Sequence, residues 1–183
     1  MGEAVRAYER DRYREAAHVL RPLAEAAPGA AAVRELYGLT LYRLGRWNDA
    51  IRELEAFRSI GGSFDQHPSL ADCYRAKRRW GKVEALWEEL REASPSAELV
   101  AEGRMVAAGA RADKGDLTSA IELLERAAKD AKRPKEHHVR TWYALADLYE
   151  RAGQIPRARE LFRRVVEVDP ELSDAVERLA GLN

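Results

Sequence analysis

One cysteine, Cys73, stands in the 183 residues, so no internal disulfide can form and a reducing compartment is expected. The expected place for Cys73 is a half-buried helix position rather than a reactive thiol. Three phenylalanines and seven prolines are too few to suggest a β-sandwich. No apolar run is long enough to span a bilayer, and no basic-then-apolar leader opens the sequence. Gly2 is followed by Arg6 where N-myristoylation calls for Ser or Thr, so a lipid anchor is not supported. The expectation is a soluble, cytoplasmic chain with no membrane contact.

Net charge is also missing: 31 basic side chains face 31 acidic ones. The balance holds locally, with 10 against 9 over residues 1–63, 6 against 7 over 64–100, 8 against 7 over 101–138 and 7 against 8 over 139–183. A nucleic-acid binder usually gathers a basic patch, so this evenness disfavours RNA or DNA as the partner. Catalytic constellations are absent too. His18, His67, His137 and His138 are scattered, and no pair has the i, i+4 spacing of a zinc helix. Adjacent His137 and His138 should point in different directions on a helix. No glycine-rich phosphate loop follows a strand. Most carboxylates sit at helical spacing from a cation, as Glu122 does from Arg126 and Glu160 from Arg164. Such pairs solvate a helix surface and add a few tenths of a kcal/mol each. Neither an enzyme, a cofactor nor a metal is expected.

What remains is 46% hydrophobic and 34% charged, rich in Ala, Leu, Glu and Arg, a mixture that favours helix. Its order is clearest from Trp142 to Pro170. Trp142, Leu145, Ala146 and Tyr149 share one helical face. Gly153 can close that helix in the left-handed conformation, and Pro156 suits the first turn of the next. Ala158, Phe162 and Val165 form a second stripe, which Pro170 stops. The two stripes need each other, with small Ala146 and Ala158 where the axes approach.

The same order recurs. Residues 31–63 carry Gly38, Leu41, Gly45, Trp47, Ala50 and Leu54, ending at Gly61-Gly62, a candidate hinge. Residues 64–97 carry Leu70, Ala71, Tyr74, Trp80, Val83, Trp87, Leu90 and Pro95. There Arg78 replaces the turn glycine and Val83 the alanine, which predicts a slightly splayed hairpin; Trp80 and Trp87 are expected in the core. Residues 101–134 carry Ala107, Ala108, Gly115, Ala120, Leu124 and Ala127, with Asp116 as N-cap. Arg104 and Arg111 occupy positions usual for aromatics, so this helix should pack through its alanines. Lys129 to His138 reads as an overlong helix end plus loop. Tyr13, Ala16, Leu20 and Pro28 give the second half of a copy truncated to residues 1–30, and residues 173–183, with Leu179 and Ala180, form a lone closing helix. The marker positions Ala16, Ala50, Val83, Ala120 and Ala158 are 34, 33, 37 and 38 residues apart.

This order and period resemble the tetratricopeptide repeat, whose pattern W-x2-L-G-x2-Y…A-x3-F…P recurs about every 34 residues. The resemblance covers nearly the whole chain and is most specific over 31–63 and 139–172. It implies an all-α, right-handed α-solenoid of stacked antiparallel helix pairs with a C-terminal capping helix, a single domain over 1–183. It also implies a scaffold or adaptor that holds a peptide or protein in a concave groove lined by the first helix of each pair. The groove positions would then be Leu39, Tyr42 and Arg43; Asp72 and Arg75; Met105 and Ala112; Arg140, Tyr143 and Asp147. Tyr, Arg and Met suit adaptable binding surfaces, and one extended ligand could touch Tyr42, Arg75, Met105 and Tyr143 in turn. Some family members clamp a terminal carboxylate of chaperones with Lys and Asn. Here the corresponding positions include Glu35, Leu39 and Glu102, which would repel or ignore one. Two alternatives differ in partner. An RNA-reading helical repeat would need Lys77, Arg78, Arg79, Lys132, Arg133 and Lys135 on one face; a self-associating subunit would accept a second copy of the chain.

Overall fold

Five alternations of helix and tight turn set the architecture. The computed structural model describes residues 1–61, 63–128 and 133–182. Among these there are eleven α-helices and no strand: α1 Gly2–Glu9, α2 Tyr13–Ala26, α3 Ala31–Arg43, α4 Trp47–Ser59, α5 His67–Ala76, α6 Trp80–Ala93, α7 Ala97–Asp113, α8 Leu117–Glu125, α9 Glu136–Arg151, α10 Ile155–Val168 and α11 Ala175–Gly181. A short 3-10 turn, Phe64–Gln66, leads into α5. The chain divides into two compact units, Met1–Leu86 and Trp87–Asn183.

Each turn inside a pair has the same hydrogen bonds. After α9, Gly153 sits at φ +72°, its N–H donating to the Glu150 carbonyl while that of Gln154 donates to Tyr149. These two bonds close the orphan carbonyls of the helix end in the Schellman arrangement. The same pair of bonds follows Asp11, Gly45, Arg78 and Gly115, all at positive φ. Arg78 therefore does not open its turn: at φ +57° it adopts the glycine geometry, at the steric cost a Cβ brings there.

The turn aims the two helices so that their small residues meet. All five markers, Ala16, Ala50, Val83, Ala120 and Ala158, are wholly excluded from solvent. At the α3–α4 crossing a Cβ on Gly38 would stand 2.6 Å from the Leu54 side chain, so the backbones can approach only because Gly38 has none. In unit Met1–Leu86, α1 packs on α2, α2 on α3, α3 on α4 and α4 on α5. Leu20, Leu41, Leu54 and Leu70 fill the interior. Glu53 is buried in α4, where Arg34 and Arg52 neutralise it. Cys73 is fully buried rather than half-buried, and burial pushes its thiol up to about 12, which leaves it unreactive.

In unit Trp87–Asn183, α7 packs on α8 and α9, α8 on α9, α9 on α10 and α10 on α11. Trp142, Leu145, Tyr149, Phe162 and Val165 form its centre. As expected, α7 packs through small residues: Ala101, Gly103, Ala107, Ala108, Ala110 and Ala112 are buried. Trp87 lies at the edge of that alanine face, and the Arg104 guanidinium stacks 5.4 Å from its ring centroid. Trp87 is buried, while Trp80 is only half-buried. Asp116 caps α8 by accepting the Ser119 N–H at 3.0 Å. Gly62 and Lys129–Lys132 lie outside the described residues, and with them part of the expected hinge and the start of the Lys129–His138 segment.

The closing helix is shorter than expected and turned differently. It spans Ala175–Gly181, and Ala175, not Ala180, is its buried alanine. Leu172, Leu179 and Leu182 pack against the core of the unit, and Arg159 donates to the Leu182 carbonyl at 2.8 Å.

Candidate functional site

The first helices of the pairs, α3, α5, α7 and α9, carry the residues singled out for binding. In unit Met1–Leu86, the Tyr42 hydroxyl donates to Asp72 Oδ2 at 3.1 Å, and Arg75 lies 3.5 Å from Asp72 Oδ1. Burial and the Asp72 charge push the Tyr42 hydroxyl up to about 12, so it stays a donor at any physiological pH. Its ring meets Trp47 edge to face at 5.7 Å. Arg43 turns the other way, stacking over Tyr13 and lying 3.5 Å from Asp11. Leu39 is half-buried.

In unit Trp87–Asn183, Arg140 on α9 pairs with Glu102 on α7 at 2.9 Å. Met105 joins them around a small hollow of about 80 Å³ that also touches Glu98 and His137. Ala112 is buried in the core and offers a ligand nothing. Tyr143 and Asp147 are half-exposed, and the C-terminal segment engages both. The Tyr143 hydroxyl donates to Asp174, and its ring meets Phe162 at 5.6 Å. Arg178 on α11 holds Asp147 at 2.8 Å and Glu150 at 2.6 Å. Tyr143 also packs its ring against the core of the unit, and Arg178 on α11 lies beside it.

A second set of contacts joins one repeat to the next. Tyr42 reaches Asp72 thirty residues on, and Tyr143 reaches Asp174 thirty-one residues on. The link joins equivalent first helices one repeat apart. On the opposite side, Tyr74 donates to Glu55 and Tyr149 to Glu125, each at 2.7 Å. Arg79 and Arg157 lie over those same two rings. Repeat periodicity could have suggested the second family. Tyr74 and Tyr149 each stand three residues after the crossing residues Ala71 and Ala146, and Glu55 and Glu125 five after Ala50 and Ala120.

The remaining candidates divide plainly. His137 and His138 do not diverge: their rings lie 4.1 Å apart, and His138 Nδ1 accepts the Lys135 N–H to cap α9. Among the described residues no group of three or more His, Cys, Asp or Glu could hold a metal ion. Of the cations an RNA reader would need, Lys77, Arg78 and Arg79 occupy the α5–α6 turn, and Lys135 faces Glu98 at 3.6 Å. Lys132 lies outside the described residues. Glu35 accepts from Gln66, and Glu102 is held by Arg140. Among the described residues no helix is long and apolar enough to cross a membrane.

Paired helices, identical turns and buried small-residue crossings define an α-helical repeat protein. The chain belongs to the tetratricopeptide repeat (TPR) family, whose models match residues 1–62 and 111–181. Solved structures share the fold. A thermophilic TPR protein of Thermus thermophilus superposes with TM-score 0.71 at 20% identity, over 98% of this chain and 94% of that one. The TPR-like repeats of a putative kinesin light chain from Podosopora anserina give 0.70 at 19% identity, over 93% and 94%. The protein MamA gives 0.65 at 19%, over 99% and 98%. No curated protein matches. TPR repeats generally mediate protein–protein interaction, and proteins built of them are typically non-catalytic scaffolds.

Proposed function

We propose that this chain is a non-enzymatic scaffold that holds a peptide or protein partner on the exposed faces of its first helices. The observation that carries the reading is the cluster of Tyr42, Asp72 and Arg75. These side chains are half-exposed and joined by a hydrogen bond and an ion pair into one arrangement, on helices whose opposite faces supply the core. A tyrosine with a fixed hydroxyl and an arginine fork offer a flat apolar surface beside a carboxylate binder, and both are pre-ordered. In the other unit, Met105 and Arg140 supply the equivalent surface, since Tyr143 and Asp147 are engaged by α11.

The test compares capture of partners from the native cell by the wild type and by Tyr42→Ala/Arg75→Ala. Helical content should be unchanged, because neither residue belongs to the buried core. Capture should fall tenfold or more, which is on the order of 1.4 kcal/mol. Undiminished capture by the folded variant would remove this face from consideration.

A further inference from the structure

Another hollow lies away from these faces, between α2 and the α3–α4 hairpin. It encloses about 750 Å³. One face of α2 forms its wall: Arg14, His18, Arg21 and Glu25 recur at helical spacing, and Arg46 projects from the turn before α4. Tyr37 forms the floor, only 4% exposed, and its hydroxyl has no hydrogen-bond partner among the described residues. The hydroxyl is not sealed off from the hollow, so solvent or a ligand can satisfy it.

The charges around it are unbalanced. Arg21 is paired with Glu25 at 3.3 Å and Arg46 with Asp49 at 2.6 Å, both in exposed, replaceable contacts. Arg14 and His18 have no ion-pair partner among the described residues. The corresponding hollow of the other unit, about 490 Å³ between α8 and α10, is different. There Glu125 accepts from both Tyr149 and Arg157, so the acid is supplied from within the chain. The hollow beside α2 sets a single acid, Glu25, against Arg14, Arg21 and Arg46.

We propose that the hollow beside α2 binds an acidic peptide segment lying along the helix. Arg14 and Arg21 are seven residues apart, so their bases are separated by about 10 Å along the axis. A peptide in the polyproline II conformation brings every third side chain to the same side at about 9 Å. Two carboxylates spaced i, i+3 thus meet Arg14 and Arg21 together. Each guanidinium presents a fork for a carboxylate, and the Tyr37 hydroxyl donates to one of them from below. Electroneutrality of the chain as a whole, with cations gathered over only two turns of α2, favours a short peptide over a nucleic-acid backbone.

The experiment uses fluorescence anisotropy on the full chain with a labelled Glu-Ala-Ala-Glu-Ala-Ala-Glu peptide. Its glutamine counterpart and a single-stranded RNA oligonucleotide serve as the other probes. The expected result is saturable binding of the acidic peptide, no binding of the glutamine peptide, and a tenfold or greater loss in Arg14→Ala/Arg21→Ala. A charge-swapped pair completes the test: Arg14→Glu/Arg21→Glu should lose the acidic peptide and gain one with lysines at the same positions. Circular dichroism checks that each variant is folded. The proposal is overturned if the two peptides bind alike, if neither binds, if the folded alanine variant binds undiminished, if the swap fails to reverse preference, or if RNA binds more tightly than the acidic peptide.

Discussion

The α7–α8 and α9–α10 hairpins share one unit and one turn geometry, yet they are built from different material. In α9 the core positions are Trp142, Leu145, Ala146 and Tyr149; in α7 they are Ala101, Ala107, Ala108 and Ala112. Both end in a left-handed glycine with the same two backbone bonds, and both bury an alanine on the second helix. A repeat of this kind is therefore specified by its turn and its closest crossing. Bulk can be supplied by a neighbour, as Trp87 does for α7.

The strongest way to break this comparison is to remove the bulk. Trp142→Ala should cost about 3–5 kcal/mol through the cavity it leaves. Trp87→Ala should cost a similar amount although it lies outside α7, as chemical denaturation would reveal. A loss below 1 kcal/mol for Trp87→Ala would mean that the alanine helix stands on its own. Deleting residues 173–183 comes next. It uncovers the surface held by Ala175, Leu179 and Leu182 and should cost about 2–4 kcal/mol. Increased dye binding and concentration-dependent light scattering would report the exposed core, whereas a soluble, equally stable truncation would make α11 dispensable.

A smaller loss sharpens the role of the crossing. Ala158→Leu and Ala120→Leu should each destabilise by about 1–3 kcal/mol through overpacking, with similar thermal shifts in the two hairpins. An unchanged melt for Ala158→Leu would refute the close-contact assignment. The smallest effect concerns the turn itself. Arg78→Gly relieves a side chain held at positive φ and should stabilise by about 0.5–1 kcal/mol, a gain reduced by the greater freedom of glycine in the unfolded chain. A destabilised Arg78→Gly protein would show that the arginine contributes contacts outweighing its strain.

The helix pairs, turn glycines and crossing alanines were legible in the sequence because each is a local rule repeated at a fixed period. Arg78 was not: nothing local favours an arginine at positive φ, and only the packing on either side holds it there. The candidate site was legible as a set of positions but not as a set of partners. That Tyr42 bonds Asp72 while Asp147 is taken by Arg178 depends on the register between hairpins, which local spacing does not fix. Ala112 illustrates the same limit. It lies on the expected exposed side of α7, but a helix packed through alanines buries a wider arc than one packed through a single aromatic stripe.

In both units the helices that pack are neighbours along the chain, or at most two places apart. Little loop entropy is spent before a contact forms, since each closure spans one short turn. Such topologies fold quickly, and no single hairpin need form first. A mutation that slows one pair leaves other starting points open, so changes at the crossings should appear chiefly as faster unfolding and only weakly as slower folding.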